Sequence, residues 1–367
     1  MFDNPAWLWM PFHFWSVVFF ILGSIVGSLL NVCIHRMPRG ESLITPGSHC
    51  PHCQAAIPWH LNIPVLTWVV LRGKCVKCGA PISPRYFAVE VLTGAAFLAC
   101  WLVSGGWTPW LPLAYSILLA GFIVASFIDA EHLMIPDEIT LGGVVVGLLC
   151  SVLVPQLHAT AGRGYALFLS FDGIVIGAAA VYGVRWLGKL MFGRQKIPLE
   201  PNTKVLFLEN GIELPDRFIP YEEIFLQKSD TVVVAAKSVE INGKSYANVT
   251  VRLSPERLQI GEEMFHPEAV SRMEVIADEL VLPREVMGIG DVKLMAAIGA
   301  FLGWQATFFS LMMSAVLGSL FGVGAILIGK REWSSRLPYG PYICVAATIW
   351  IVGGKKYWDL WLASGGQ

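Results

Sequence analysis

Polar and apolar residues are segregated along this chain in long blocks. Residues 14–34 carry no charge and match the ~20 residues an α-helix needs to cross a bilayer. Residues 91–128 are also uncharged. That is too long for one crossing, and the run Gly105-Gly106-Trp107-Thr108-Pro109 divides it. Further apolar blocks cover about residues 139–154, 166–187, 291–302, 305–329 and 337–352, with Gly303-Trp304 separating the sixth block from the seventh. The pattern predicts an all-α polytopic membrane protein with about eight transmembrane helices.

One stretch breaks this rhythm. Between Arg194 and Glu285 lie sixteen acidic and eleven basic residues, over half the charge of the protein in a quarter of its length. Residues 203–207, 231–236 and 245–253 read as short strands, and Ile241-Asn242-Gly243-Lys244 as a hairpin turn. Residues 267–280 read as an acidic amphipathic helix. A small α+β insert is expected over residues 192–287. The remaining divisions are a first helix in 1–37, a polar loop in 38–86, helices two to five in 87–191 and helices six to eight in 288–367.

Composition supports the membrane reading. The 367 residues are 55% hydrophobic and only 14% charged, against about 25% charged in soluble domains. Net charge is −1, which leaves no basic footprint for nucleic acid. The first apolar run is too long for a cleaved signal peptide, and no small-residue cleavage site follows it. Trp7, Trp9 and Trp15 crowd its start as an interfacial aromatic belt would. Loops rich in Lys and Arg follow the first, fifth and seventh blocks; those at 104–112 and 155–162 are nearly uncharged. By the positive-inside rule the N-terminus lies outside, and the 38–86 loop and the insert face the cytoplasm. Lys355 and Lys356 are a mild exception.

That topology brings two carboxylates to one membrane face. Asp129 ends the third apolar block and Asp291 begins the sixth, within Gly288-Ile289-Gly290-Asp291-Val292-Lys293. Charge at membrane depth is costly and usually functional. Two aspartates sharing a proton can activate water and polarise a carbonyl, as peptide hydrolysis requires. Pro136 breaks the helix soon after Asp129, and Gly288 and Gly290 permit close backbone approach. Glu131, Asp137 and Glu138 read as helix caps or interfacial charges, and Asp172 as an interfacial residue in the fifth block. Lys293 does not share a helix face with Asp291 and is free to meet headgroups or substrate.

The 38–86 loop carries Cys50-Pro51-His52-Cys53 and Cys75-Val76-Lys77-Cys78. Two CxxC knuckles at this separation predict a structural Zn²⁺ held by Cys50, Cys53, Cys75 and Cys78, with His52 and His60 as possible substitutes. Cys33, Cys100, Cys150 and Cys344 sit singly in apolar runs and read as small core residues. Two rivals remain on these residues: a membrane thiol–disulfide oxidoreductase using both CxxC pairs, and a proton-coupled transporter using its intramembrane acids. No glycine-rich nucleotide motif is present.

The same residues resemble a known family. Asp129 with Ile135-Pro136-Asp137, and Gly288 through Lys293, are similar to the type IV prepilin peptidases, integral-membrane aspartic proteases of the GxGD type. The likeness extends to Gly23-Ser24-Ile25-Val26-Gly27-Ser28-Leu29-Leu30-Asn31, Asn62-Ile63-Pro64-Val65-Leu66, Arg72-Gly73-Lys74-Cys75, Arg85-Tyr86 with Glu90, and Pro338-Tyr339-Gly340-Pro341. The resemblance implies that Asp129 and Asp291 are catalytic. It implies cleavage of the basic leader of prepilins or type II secretion pseudopilins at the cytoplasmic face of a bacterial inner membrane. The tetracysteine loop implies a bifunctional member that also N-methylates the new terminus from S-adenosylmethionine. Pilus or secretion assembly proteins are implied partners. The long insert between the aspartates departs from the family pattern.

Overall fold

The structure is a computed structural model. It describes residues 10–364 except 51, 59–60, 105–107, 226–229, 242, 268–269, 271, 284–286 and 329–336. His60, Trp7, Trp9 and the Gly105-Gly106-Trp107 break therefore lie outside the described residues.

The chain forms two compact units, Met1–Tyr182 with Ile289–Gln367, and Gly183–Gly288. The first is helical. Among the described residues, five helices are long and apolar enough to cross a membrane: Phe12–Arg39, Pro84–Ser104, Trp110–His132, Arg163–Met191 and Trp304–Leu327. They correspond to α1 (Phe12–Arg36, extended by a 3₁₀ turn), α3 (Pro84–Ser104), α4 (Trp110–His132), α6 (Arg163–Phe192) and α9 (Trp304–Leu327). The other expected apolar blocks are shorter helices, α5 (Asp137–Leu153), α8 (Ile289–Leu302) and α10 (Gly340–Ile349), the last followed by a π-turn and α11 (Lys355–Ser364). A five-residue helix, α2 (Leu66–Val70), lies in the polar loop.

The length of α8 has a structural reason. Its 14 residues span only about 21 Å, and every residue from Leu294 to Leu302 is buried. It is a core helix rather than a lipid-facing one. Glycines let its neighbours approach: a Cβ on Gly173 of α6 would lie 2.2 Å from the carbonyl oxygen of Gly299, and one on Gly299 would lie 2.0 Å from that of Gly173. These two backbones touch, which only glycine permits. The carbonyl of Ala300 accepts hydrogen bonds from Ser151 (3.1 Å) and Ser170 (2.7 Å), satisfying the C-terminal turn of α8 within the apolar interior.

The second unit is an eight-stranded antiparallel sheet of order β3-β2-β1-β8-β4-β5-β6-β7. Its strands are β1 (Arg194–Leu208), β2 (Gly211–Glu213), β3 (Phe218–Pro220), β4 (Val232–Ile241), β5 (Lys244–Leu253), β6 (Leu258–Ile260), β7 (Glu263–Phe265) and β8 (Arg272–Pro283). Alternate residues of β4 and β8, including Val232, Val234, Met273, Val275 and Ala277, join one core with Ile212 of β2 and Ile260 of β6. Ile241 pairs Lys244, closing the expected hairpin, with Gly243 at φ +75°; Asn242 is outside the described residues.

The insert corrects one expectation. Residues 267–280 were expected as an acidic helix, yet Arg272–Pro283 is a strand paired on both sides, with β1 and with β4. The two-residue alternation of Met273, Val275 and Ala277 prevails over the looser helical spacing. Among the described residues the only α-helix in the sheet region is the four-residue α7 (Tyr221–Ile224), so the insert is a β unit rather than α+β. Strand β1 also starts earlier than expected. Pro198 and Pro201 are accommodated by a register shift between Pro198 and Thr203, with Asn202 at φ +64°.

Candidate active site and metal centre

Asp129 sits in the last turn of α4. The helix stops because Leu133 turns left-handed at φ +53°, donating its N–H to the carbonyl of Asp129 at 2.9 Å. Pro136 then takes extended geometry and caps α5. This short turn presses Ile135 inward, where it is buried.

Ile135 is the meeting point of three segments distant in sequence. A Cβ on Gly290, next to Asp291, would lie 3.2 Å from the Ile135 Cβ. A Cβ on Gly340 would lie 3.1 Å from the Ile135 Cδ1 and 2.9 Å from Asp129 Oδ2. The Gly340 N–H donates to Asp129 Oδ2 at 2.8 Å. Asp129 and Asp291 are both buried, 6% and 7% exposed. The buried Cys344 thiol lies within electrostatic reach of both. Helix packing explains the convergence, since α10 contacts α4, α8 and α9, and α5 lies along α8.

The neighbouring charges have other partners. Lys293 donates to Asp137 Oδ1 at 2.6 Å, joining the two aspartate-bearing stretches a second time. The expectation that Lys293 is free for headgroups or substrate is replaced by this pair. Glu131 pairs with Arg85, and Glu138 is exposed. Sequence reasoning gave no role to Ile135 and treated Cys344 as an ordinary core residue. The spacing between these segments exceeds any local pattern; only the Pro-Tyr-Gly-Pro run hinted at Gly340.

The four cysteines of the loop come together. The Sγ atoms of Cys50, Cys53, Cys75 and Cys78 all lie within 4.8 Å of one another, with Cys50 and Cys78 at 3.8 Å. A tetrahedral Zn²⁺ with bonds near 2.3 Å needs sulfur separations of about 3.8 Å, so the donor set fits. The two knuckles repeat one geometry. Cys50 N–H donates to Ala55 and Cys75 N–H to Ala80, while Gln54 N–H and Gly79 N–H return to Cys50 and Cys75. Gln54 and Gly79 are both left-handed. Backbone N–H groups of Cys78 and Lys77 hold the Cys75 thiol down at about 6, while Cys78, against the pull of the Ala80 N–H, is pushed up to about 11 by desolvation and the neighbouring thiols, so the cluster would need a cation to hold all four as thiolates.

Membrane-length helices, two buried aspartates beside converging segments and a four-thiol loop fit an integral-membrane protein. Comparison with known proteins agrees. Residues 21–104 match the Bacterial Peptidase A24 N-terminal domain, and residues 116–212 and 269–323 match the Type IV leader peptidase family. A type 4 prepilin-like proteins leader peptide-processing enzyme of Escherichia coli O78:H11 is 38% identical over 195 residues, covering 48% of this chain and 68% of that protein. The prepilin leader peptidase/N-methyltransferase of Aeromonas hydrophila is 28% identical over 373 residues, covering 95% and 93% of the two chains. That of Pseudomonas aeruginosa is 25% identical over 364 residues, covering 92% and 89%. No solved structure matches. The chain belongs to the type IV leader peptidase family.

Proposed function

We propose that this chain removes the leader peptide of type IV prepilins or related pseudopilins and N-methylates the new terminus, with Asp129 and Asp291 as the acid pair. The observation that carries the reading is the burial of both aspartates around Ile135, Gly340 and Cys344. Carboxylates brought together share one proton. The ionised member takes a proton from water, which attacks the scissile carbonyl while the protonated member polarises it. Reversal of roles delivers a proton to the leaving amine as the C–N bond breaks. Gly340 holds Asp129 in register through its N–H.

Cys50, Cys53, Cys75 and Cys78 would hold Zn²⁺ in a closed site that orders the loop. S-adenosylmethionine, when bound, supplies the methyl group. We read α5, α8 and α10 as three further crossings, giving eight, with the N-terminus outside and the acid pair facing the cytoplasm of a bacterial inner membrane. Pilus or type II secretion assembly proteins are natural partners of such an enzyme. Co-expression with candidate prepilins, followed by mass spectrometry of their N-termini, tests the whole reading. Shortened, methylated termini are expected; uniformly unprocessed prepilin overturns it.

Two further outcomes follow from the geometry. Gly340→Ala forces a Cβ against Asp129 Oδ2 and should lower kcat about 100-fold, since misplacing a reacting group by 1 Å costs that much. Zinc content should be unchanged, and a rate within twofold of the parent would remove Gly340 from the positioning role. The sheet unit should be dispensable for folding. Its first and last strands pair at Arg194↔Pro283, so their ends stand only about 5 Å apart. Replacing residues 196–284 with a short Gly/Ser linker should leave an inserted, zinc-binding protein with measurable cleavage of a prepilin in detergent. A variant that inserts and binds zinc yet cleaves nothing would make the sheet part of the catalytic apparatus.

A further inference from the structure

The tetracysteine loop carries apolar residues on its outside. Ile44 is 86% exposed and Val70 68% exposed, and Leu43, Ile63, Leu66 and Val69 are exposed as well. Isolated exposed apolar residues are ordinary, but a concentration in one small loop marks an interaction surface. Three of them, Leu43, Ile44 and Ile63, line one side of a cleft of about 720 Å³. The other side is α1, through Ile21, Ile25 and Leu29. Those three are themselves more than half exposed on a helix of membrane length, where they face acyl chains. The outer surface of the loop thus continues the surface that α1 turns toward lipid.

The segment over the cleft is held there. Arg36, itself buried, donates from Nη1 to the Ser42 carbonyl at 2.9 Å and from Nη2 to the Pro46 carbonyl at 2.7 Å. The two bonds tie down both ends of the stretch that carries the exposed Leu43 and Ile44. The loop is also basic. Arg39, Arg72, Lys74 and Lys77 are exposed, with Glu41 as the single acidic residue between 38 and 86. Apolar side chains beside basic ones suit an anionic headgroup layer, which attracts Lys and Arg while accepting shallow apolar insertion.

We propose that the tetracysteine loop lies in the headgroup layer of the bilayer and that the cleft between it and α1 is a binding site for an acyl chain of an anionic phospholipid. The site recognises the lipid by its apolar walls, and the exposed Arg39, Arg72, Lys74 and Lys77 of the same loop favour an anionic headgroup layer around it. It places the thiol cluster against the membrane surface rather than out in the aqueous phase.

The test uses the full chain in nanodiscs made of a single phosphatidylglycerol species. A photoreactive benzoylphenylalanine is placed at Ile44 or, separately, at Ile63, both on the cleft, with Ser245 of the sheet unit as the comparison position. Each labelled protein is checked for the parent's metal content, and Ile63 carries the test if the Ile44 label disturbs the loop. After irradiation, intact-mass measurement should show an adduct heavier by one lipid at Ile44 and Ile63 and none at Ser245. No lipid adduct at either loop position, or equal adducts at all three, overturns the proposal. So does an adduct to an added prepilin that replaces the lipid adduct, which would assign the cleft to substrate.

Discussion

Asp129→Asn and Asp291→Asn each reduce leader cleavage by at least about 1,000-fold, the scale on which positioned acids and bases contribute. Either change removes one member of a pair that must exchange a proton, so neither is rescued by the other. Folding should survive. An asparagine at 129 still offers a carbonyl oxygen to the Gly340 N–H, and both sites keep their volume. The comparison is Asp137→Asn, which weakens only a partly exposed pair with Lys293 and should stay within about fivefold of the parent. Cleavage rates on a purified prepilin in detergent, read beside melting curves, decide the matter. A folded Asp129→Asn or Asp291→Asn protein cleaving within tenfold of the parent would falsify the acid-pair assignment.

Cys50→Ser or Cys78→Ser should strip the loop of zinc. Four sulfurs within 4.8 Å of one another can all be thiolates only where a cation offsets their charge, and the loop has little apolar core to hold it otherwise. Elemental analysis should find bound zinc near zero, and limited proteolysis should open the 38–86 loop. Methylation should fall more than cleavage, because the aspartates lie on other segments. A mutant with one zinc per chain would rule out the four-thiolate site.

What the sequence made legible was polarity out of place. Asp129, Asp291 and the four loop cysteines stood out because their surroundings are apolar or their spacing is characteristic; the structure gathers the cysteine thiols and buries both aspartates. Helix positions were legible for the same reason: an uncharged block of membrane length has few alternatives. The strand at 272–283 was not, since Glu274, Asp278 and Glu279 gave the segment a polar face that fits either period. Its neighbours β1 and β4 decided between them through pairing on both sides. Nor could the Lys293–Asp137 pair be foreseen across 156 residues, or the contact of Gly340 with Asp129 across 211. Those contacts depend on helix packing, which no local pattern encodes.

The backbone contact between Gly173 and Gly299 restrains α8, the helix that carries Asp291. Asp291 stands eight residues, about 12 Å, along the same helix from Gly299. A rod in backbone contact at that distance, and packed along its length, resists sliding or tilting. With Asp291 as a member of the proposed acid pair, the scissile peptide would have to come to the acid. A leader that enters as a helix hides its carbonyls in its own hydrogen bonds, so it has to unwind locally before the aspartates can reach it. The ease of that unwinding, set by the residues flanking the cut, becomes a selectivity filter written in the substrate rather than in the enzyme.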